Sequence, residues 1–299
     1  MGILKDLTEE YFGEKVRKED EIDIFGLDVK IVSFKDNNGN FHRRGYKPKD
    51  LDNLKDLLER MVEVRGDEGD FNDIDTSKIE DMSFLFEDKT TFNGDISGWN
   101  VSSVENMNYM FCRATSFNQN ISNWDVSKVT DMNCMFSGAK SFNQKIGDWK
   151  FPKVKYMNNM FNGATSFNQP IGDWEFPKVE DMCFMFCDAT TFNQPIGDWK
   201  FPNVGDMEGM FSGATSFNQK IGDWKFPNVK DMHCMFQDAT SFNQPIGDWK
   251  FPNVKDMSGM FWGATSFNQD LSEWNLNRIN KKDIFKNCPI KNEYKPKMK

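Results

Sequence analysis

Histidine is almost missing: His42 and His233 are the two in 299 residues, and they fall on unrelated segments. The commonest general acid–base and metal-ligating side chain is therefore nearly absent. No G-x-S-x-G, P-loop, G-x-G-x-x-G or H-E-x-x-H string occurs either. No apolar run approaches the roughly 18 residues of a membrane span. The first residues, Met1-Gly2-Ile3-Leu4-Lys5-Asp6, lack the apolar core of a signal peptide, and Asp6 spoils a myristoylation signal. These absences predict a cytoplasmic protein. A basic excess is lacking too: the formal charge is −9 and the pI near 5.0. This argues against nucleic acid or an anionic membrane as the main partner. The Lys-rich tail, Lys291 to Lys299, is too short to reverse it.

Cysteine is present but unsuited to staples. Cys112 and Cys187 share one position of a repeating unit, and Cys134 and Cys234 share another, so each pair lies several units apart. A disulfide needs Cα atoms within about 7 Å. No disulfide framework follows, and free thiols suit a reducing compartment. Cys183-x-x-x-Cys187 has no second ligand pair to complete a zinc site. No metal, cofactor or catalytic residue is assigned.

What the chain does have is a period of 25 residues. Phe92, Phe117, Phe142 and their equivalents to Phe267 mark it, as do Trp99, Trp124, Trp149 and their equivalents to Trp274. A period of this size, held over about eight units without insertion, predicts a repeat solenoid. Within a unit, Ile246-x-x-Trp249-x-Phe251-x-x-Val254 matches the strand half of a leucine-rich repeat, with Pro252 ending the strand. Met257, Met260 and Phe261 have the i, i+3, i+4 spacing of a helical turn. The expected architecture is leucine-rich-repeat-like, with one short parallel strand per unit on one face and short helical turns on the other. Eight buried apolar groups per unit, at roughly 2 kcal/mol each, fall short of the ordering entropy of 25 residues at about 1–2 kcal/mol apiece. No unit stands alone, so stacking is obligatory. Asn93, Asn118 and their equivalents to Asn268 follow every register Phe, which predicts a buried amide ladder. Asp198 with Lys200, Asp223 with Lys225 and Asp248 with Lys250 read as outward salt-bridge ladders.

Four segments follow. Residues 1–46 read as a short amphipathic helix, with Leu4, Leu7, Tyr11 and Phe12 on one face, and then a hairpin turning at Asn38-Gly39. The run Asp36 to Asn40 lacks the spacing and distal Glu of a calcium loop, so it reads as a plain turn. Residues 47–70 hold a helix, opened by Pro48 and ended by Gly66, that caps the array. Residues 71–286 are the array, and 287–299 its C-terminal cap and basic tail. Caps at both ends predict a monomer.

The string Val-x-x-Met-x-x-Met-Phe-x-Gly-Ala-Thr-Ser-Phe-Asn-Gln-x-Ile-Gly-Asp-Trp resembles the BspA-like leucine-rich-repeat proteins, and among them the 25-residue domain-of-unknown-function repeat of mycoplasma-type surface lipoproteins. The match covers about residues 71–280. The resemblance implies a bacterial protein, often surface-exposed or secreted, used in adhesion or in binding a host extracellular protein. Against that, no export signal or lipobox cysteine is visible.

The units differ from one another mainly at three positions: Asn108/Tyr109/Cys112 and their equivalents through Ser258/Gly259/Trp262. Variable side chains on a constant frame are how repeat proteins build recognition surfaces. The predicted protein-binding residues on this face are Tyr109, Cys134, Asn159, Phe184, Cys187, Glu208, His233, Gln237 and Trp262. Tyr109, Phe184 and Trp262 are its aromatic anchors. The reading is a non-enzymatic protein–protein interaction module, an adhesin or scaffold. The alternatives are a structural rod that self-associates and a carbohydrate-binding or glycan-acting protein.

Overall fold

The computed structural model describes residues 21–24 and 27–297. The helix expected within residues 1–20 lies outside this range. Three antiparallel strands come first: β1 (Glu21–Ile24), β2 (Leu27–Lys35) and β3 (Phe41–Lys47), in the order β1-β2-β3. The turn between β2 and β3 contains Gly39 at φ +83°, a left-handed conformation that glycine adopts without penalty. Helix α1 (Leu51–Arg65) follows. Asp50 caps its first turn by accepting the Asn53 N–H at 2.9 Å, and Gly66 ends it by donating its N–H to Val62 O. Leu54, Leu57, Leu58 and Met61 are buried against the first residues of the array, among them Phe71 and Ile74.

From residue 81 onward, successive repeats are joined by isolated parallel bridges: Asp81 to Asn106, Asn106 to Asp131, and so on to Asp231–Asp256. The final step, Asp256 to Asn280, is one residue shorter. The pairing extends beyond each bridge through alternate residues. Met107, Tyr109, Phe111 and Arg113 donate their N–H groups to the carbonyls of Asp131, Asn133, Met135 and Ser137, at 3.0, 2.8, 2.9 and 2.6 Å. The residues between them turn inward on their own repeat: Met110, Cys112 and Ala114 donate to Met107, Tyr109 and Phe111.

The elements inside a repeat therefore differ from those the periodicity predicts. No strand forms over Ile246–Val254, and no helix forms at Met257–Phe261; both stretches are successive turns and extended links. The i, i+3, i+4 positions are still the buried ones, with Met107, Met110 and Phe111 fully inside. A helix spends every N–H on its own residue four back and leaves none for a neighbouring repeat. Here alternate N–H groups point to the neighbour, and the backbone takes left-handed values in between. Tyr109 and Arg113 have φ of 56° and 58°, and each repeat has its equivalent pair.

The interior is a set of side-chain columns. Phe136 stacks between Phe111 and Phe161 at 5.5 and 5.7 Å, and Trp199 between Trp174 and Trp224 at 6.3 and 6.4 Å. From Trp149 to Trp274, each indole Nε1 donates to the carbonyl of the Ile 28 residues earlier, as Trp199 does to Ile171 at 3.0 Å. Trp124 Nε1 is buried without a partner. The Asn column runs half-buried rather than buried. Each amide oxygen accepts the next Asn N–H, as in Asn118 N–H to Asn93 Oδ1 at 2.9 Å, and Gln side chains donate back onto it. The paired Asp and Lys residues at 198/200, 223/225 and 248/250 form no ion pair within 4.0 Å. Adjacent alternate positions on an extended link keep both side chains in water, where hydration competes with pairing.

Candidate functional site

The variable positions fall into three adjacent columns on one face, because each repeats at the same place in the inter-repeat ladder. Tyr109, Cys134, Asn159 and Phe184 continue one column with Phe84, Gly209, Cys234 and Gly259, all at φ between 53° and 65°. Glu208 and His233 belong to a second column. Cys187, Gln237 and Trp262 belong to a third. All nine expected residues thus share a face. They are less exposed than expected, however: Cys134 is buried and the other eight are half-buried. Stacking covers them. Tyr109 lies on Phe84, with ring centroids 4.9 Å apart and planes at 14°. Its hydroxyl bonds to the Cys134 thiol, whose hydrogen bond and charge push the phenol up to about 12. Phe184 lies over Gly209, where a Cβ would come within 2.3 Å of the ring, so glycine there is required twice, by the ring and by φ of 56°. Trp262 carries the Lys286 ammonium 4.0 Å above its ring.

Phe84, 42 % exposed, is the most open aromatic of the face and escaped the sequence reading because its repeat is a degenerate lead-in. The variable face is bordered by an acidic column: Asp131, Asp181, Asp206, Asp231 and Asp256 each accept the N–H two residues on, at 2.7–2.9 Å. These are Asx turns that start the inter-repeat ladder. Tyr156 interrupts the column, and there the Asn158 N–H goes to Asn133 Oδ1 of the preceding repeat instead. Burial raises Asp206, and the carboxylates of Asp181 and Asp231 raise it further. Burial and Asp231 likewise raise Glu208.

One Cys–His contact occurs among the described residues. Cys234 Sγ is 3.1 Å from His233 Nε2, His233 Nδ1 is 2.7 Å from Ser258 Oγ, and Ser258 Oγ donates to Asp256 Oδ1. With the serine proton committed to Asp256, Nδ1 is the donor and Nε2 accepts from the thiol. A nucleophilic dyad needs a thiolate, yet burial and the carboxylates of Glu208 and Asp256 push Cys234 up to about 11. Burial also raises Cys112 and Cys187, to about 11 and 12. All six thiols are unpaired. No group of three or more His, Cys, Asp or Glu among the described residues is arranged to hold a metal ion, and no helix among them is long and apolar enough to cross a membrane.

The repeats also depart from their pattern away from this face. Where later repeats have Asp148, Asp173 and Asp198, the first two have Gly98 and Asn123. The β2–β3 turn docks there. Asn37 N–H donates to Gly98 O at 2.8 Å, and Asn37 Nδ2 to Asn123 O at 2.9 Å. Asp36 is buried beneath, held by Asn40 and by His42 Nε2 at 3.0 Å. A Cβ on Gly98 would meet Asp36 Oδ2 at 2.8 Å. Gly98 and Asn123 carry this signal in the sequence itself, outside the three variable columns.

The profile of the family described as "Mycoplasma protein of unknown function, DUF285" matches residues 53–165, 121–212, 145–232 and 198–296, overlapping spans that tile the array. The chain belongs to this family. No curated protein and no solved structure matches it. The DUF285 repeat is thus what the 25-residue period represents, and the family carries no assigned activity.

Proposed function

We propose that this DUF285 protein is a non-enzymatic interaction module. Its array is a leucine-rich-repeat-like solenoid of the BspA-like kind, and its variable columns contact a protein partner. The observation that carries the reading is the pairing of variable side chains with an invariant backbone. Tyr109, Cys134, Asn159 and Phe184 differ in chemistry but share φ values of 53–56°. Such a frame presents different groups at fixed spacing, which is how a repeat surface acquires specificity. The parallel bridges at 25-residue steps from Asp81 to Asp256 support the solenoid. Burial, which raises the Cys112, Cys187 and Cys234 thiols and so disfavours their thiolates, supports a role without covalent chemistry. Free thiols favour a reducing compartment, and a host extracellular protein remains the partner that surface display would bring.

The test is capture from host extracellular matrix and from bacterial lysate in parallel, with Tyr109→Ser/Phe184→Ser/Trp262→Ser as the control. The expected result is a partner retained by the native chain and lost, about tenfold or more in affinity, by the triple variant. Equal retention by both chains removes the variable face from the reading. Cleavage or turnover of the captured partner would remove the non-enzymatic part.

A further inference from the structure

The ladder that joins the repeats does not close at its ends, and its two ends are complementary. In every internal repeat, four alternate N–H groups donate forward to four alternate carbonyls of the next. The last row accepts from Met257, Gly259, Phe261 and Gly263 through the carbonyls of Asn280, Lys282, Ile284 and Lys286. Its own forward-pointing N–H groups, on Lys281, Asp283, Phe285 and Asn287, have no acceptor. The first row is the mirror case. Met82, Phe84, Phe86 and Asp88 donate forward, while the carbonyls of Asp81, Ser83, Leu85 and Glu87 receive nothing.

The two open rows already hold the conformation that pairing needs. Asp283 and Asn287 have φ of 57° and 56°, and Phe84 and Asp88 have 58° and 59°, matching the internal rows although nothing pairs beyond them. Charge separates them in the same sense. Arg278, Lys282, Lys286 and Lys291 stand exposed around the C-terminal row beside Asp283; Glu59, Glu63, Glu80, Asp81 and Asp88 stand exposed around the N-terminal one beside Arg60 and Lys89, with Glu59 paired to Lys89 and Asp88 to Arg113. α1 covers the core at the N-terminal end but leaves a cleft of 520 Å³ between itself and the strip from Phe84 to Lys89.

We propose that the protein associates head to tail with further copies of itself, the N–H row of Lys281–Asn287 in one copy donating to the carbonyl row of Asp81–Glu87 in the next. An unpaired row of N–H groups is a template for another chain. An ordinary extended peptide would have to adopt two left-handed residues at the right spacing, at a cost of about 2–3 RT each, whereas a second copy presents them ready-made. The acid–base asymmetry steers the same orientation and opposes head-to-head contact. Because the two surfaces differ, the contact is heterologous, and each junction leaves another open row, so association grows linearly rather than stopping at a dimer. The junction uses only the end members of the variable columns, Phe84 and Asp283 among them, and none of Tyr109, Phe184 and Trp262, so loss of partner binding in that triple variant and loss of self-association are read separately.

Sedimentation velocity on the full chain is the test. The expected result is mass that rises past the dimer with concentration and falls with added salt. On association, the amide protons of Lys281, Asp283, Phe285 and Asn287 slow in hydrogen exchange. Lys282→Glu/Lys286→Glu introduces acid-on-acid junctions, and Glu80→Lys/Glu87→Lys base-on-base ones. Each variant alone weakens association by about tenfold or more, and mixing the two restores growth through alternating copies. Three results would overturn the proposal: a monomer up to about 1 mM, a dimer that does not grow, or association in which those four amides exchange at the monomer rate. A mixture of variants that fails to recover overturns the charge steering and the orientation with it.

Discussion

The N-terminal region, residues 21–65, and the array that follows solve one problem in opposite ways. Strands β1–β3 and α1 satisfy most of their backbone with partners inside the same element or hairpin, Tyr46 being the exception that donates to Asp73 O and accepts from the Asp75 N–H. In the array, half of the N–H groups along the ladder stretch leave the repeat altogether, to carbonyls 24 residues on. The first region can therefore be built piece by piece from local signals. A repeat cannot, because it is incomplete until its neighbour is present. The regions meet where the hairpin turn enters the array beside Gly98 and Asn123.

The sharpest way to break this contrast is in the core. Phe161 is fully buried and stacks on Phe136, Phe167 and Phe186 at 5.7, 4.1 and 5.6 Å. Phe161→Ala should cost about 3–5 kcal/mol, and Leu57→Ala in α1 about 2–5. The two should differ in reach. In native-state hydrogen exchange, Phe161→Ala should raise exchange on both sides of its repeat, whereas Leu57→Ala should act at the N-terminal end. Loss confined to one repeat in the Phe161 variant would contradict the shared ladder.

A smaller effect isolates the junction between the regions. Gly98→Ala places a Cβ 2.8 Å from Asp36 Oδ2 and 2.9 Å from Asn72 Oδ1. Overpacking of this kind costs about 1–3 kcal/mol. The expected readout is faster exchange at Asn37 and Tyr46 with the central repeats unchanged, checked by hydrogen exchange resolved along the chain.

The smallest effect is a difference in sign with pH. Burial opposes ionisation of Asp36, but the hydrogen bonds from His42 and Asn40 outweigh it and hold its pKa below 3.8. Its stabilisation is present above pH 3.8 and is lost as the pH falls through the lowered folded value. Asp206 and Glu208 lie above their ordinary 3.8 and 4.5. They oppose folding when ionised, and acid relieves them as the pH falls through their raised values. Asp36→Asn should therefore destabilise at pH 7. Asp206→Asn with Glu208→Gln should stabilise slightly there, by roughly 0.5 kcal/mol after solvent screening. The first difference should shrink as the pH falls below 3.8 towards the lowered folded value of Asp36, and the second should vanish once Asp206 and Glu208 are both protonated. Denaturant titrations at pH 7 and at pH 3 check the two signs.

Several features were legible because their cause is local. Gly39 after Asn38 marks a turn, Asp50 and Gly66 bracket a helix, and every third-or-fourth apolar residue in between faces inward. The core columns were legible for a related reason: a residue that recurs every 25 positions meets its own copy whatever the path between. The helical turn at Met257–Phe261 was misread because i, i+3, i+4 burial is shared by a helix and by consecutive turns. Only the direction of the N–H groups separates the two.

The sequence by itself determined the period, the identity of the core and which positions vary, since these depend on side-chain chemistry recurring along one chain. Tertiary structure alone decided that alternate N–H groups leave each repeat, that the variable side chains stack until half-buried, and that the β2–β3 turn plugs the array at Gly98. It also left the donor and acceptor rows open at opposite ends. Each of these depends on where a neighbouring repeat places its carbonyls and rings, which no window of residues shorter than two repeats contains.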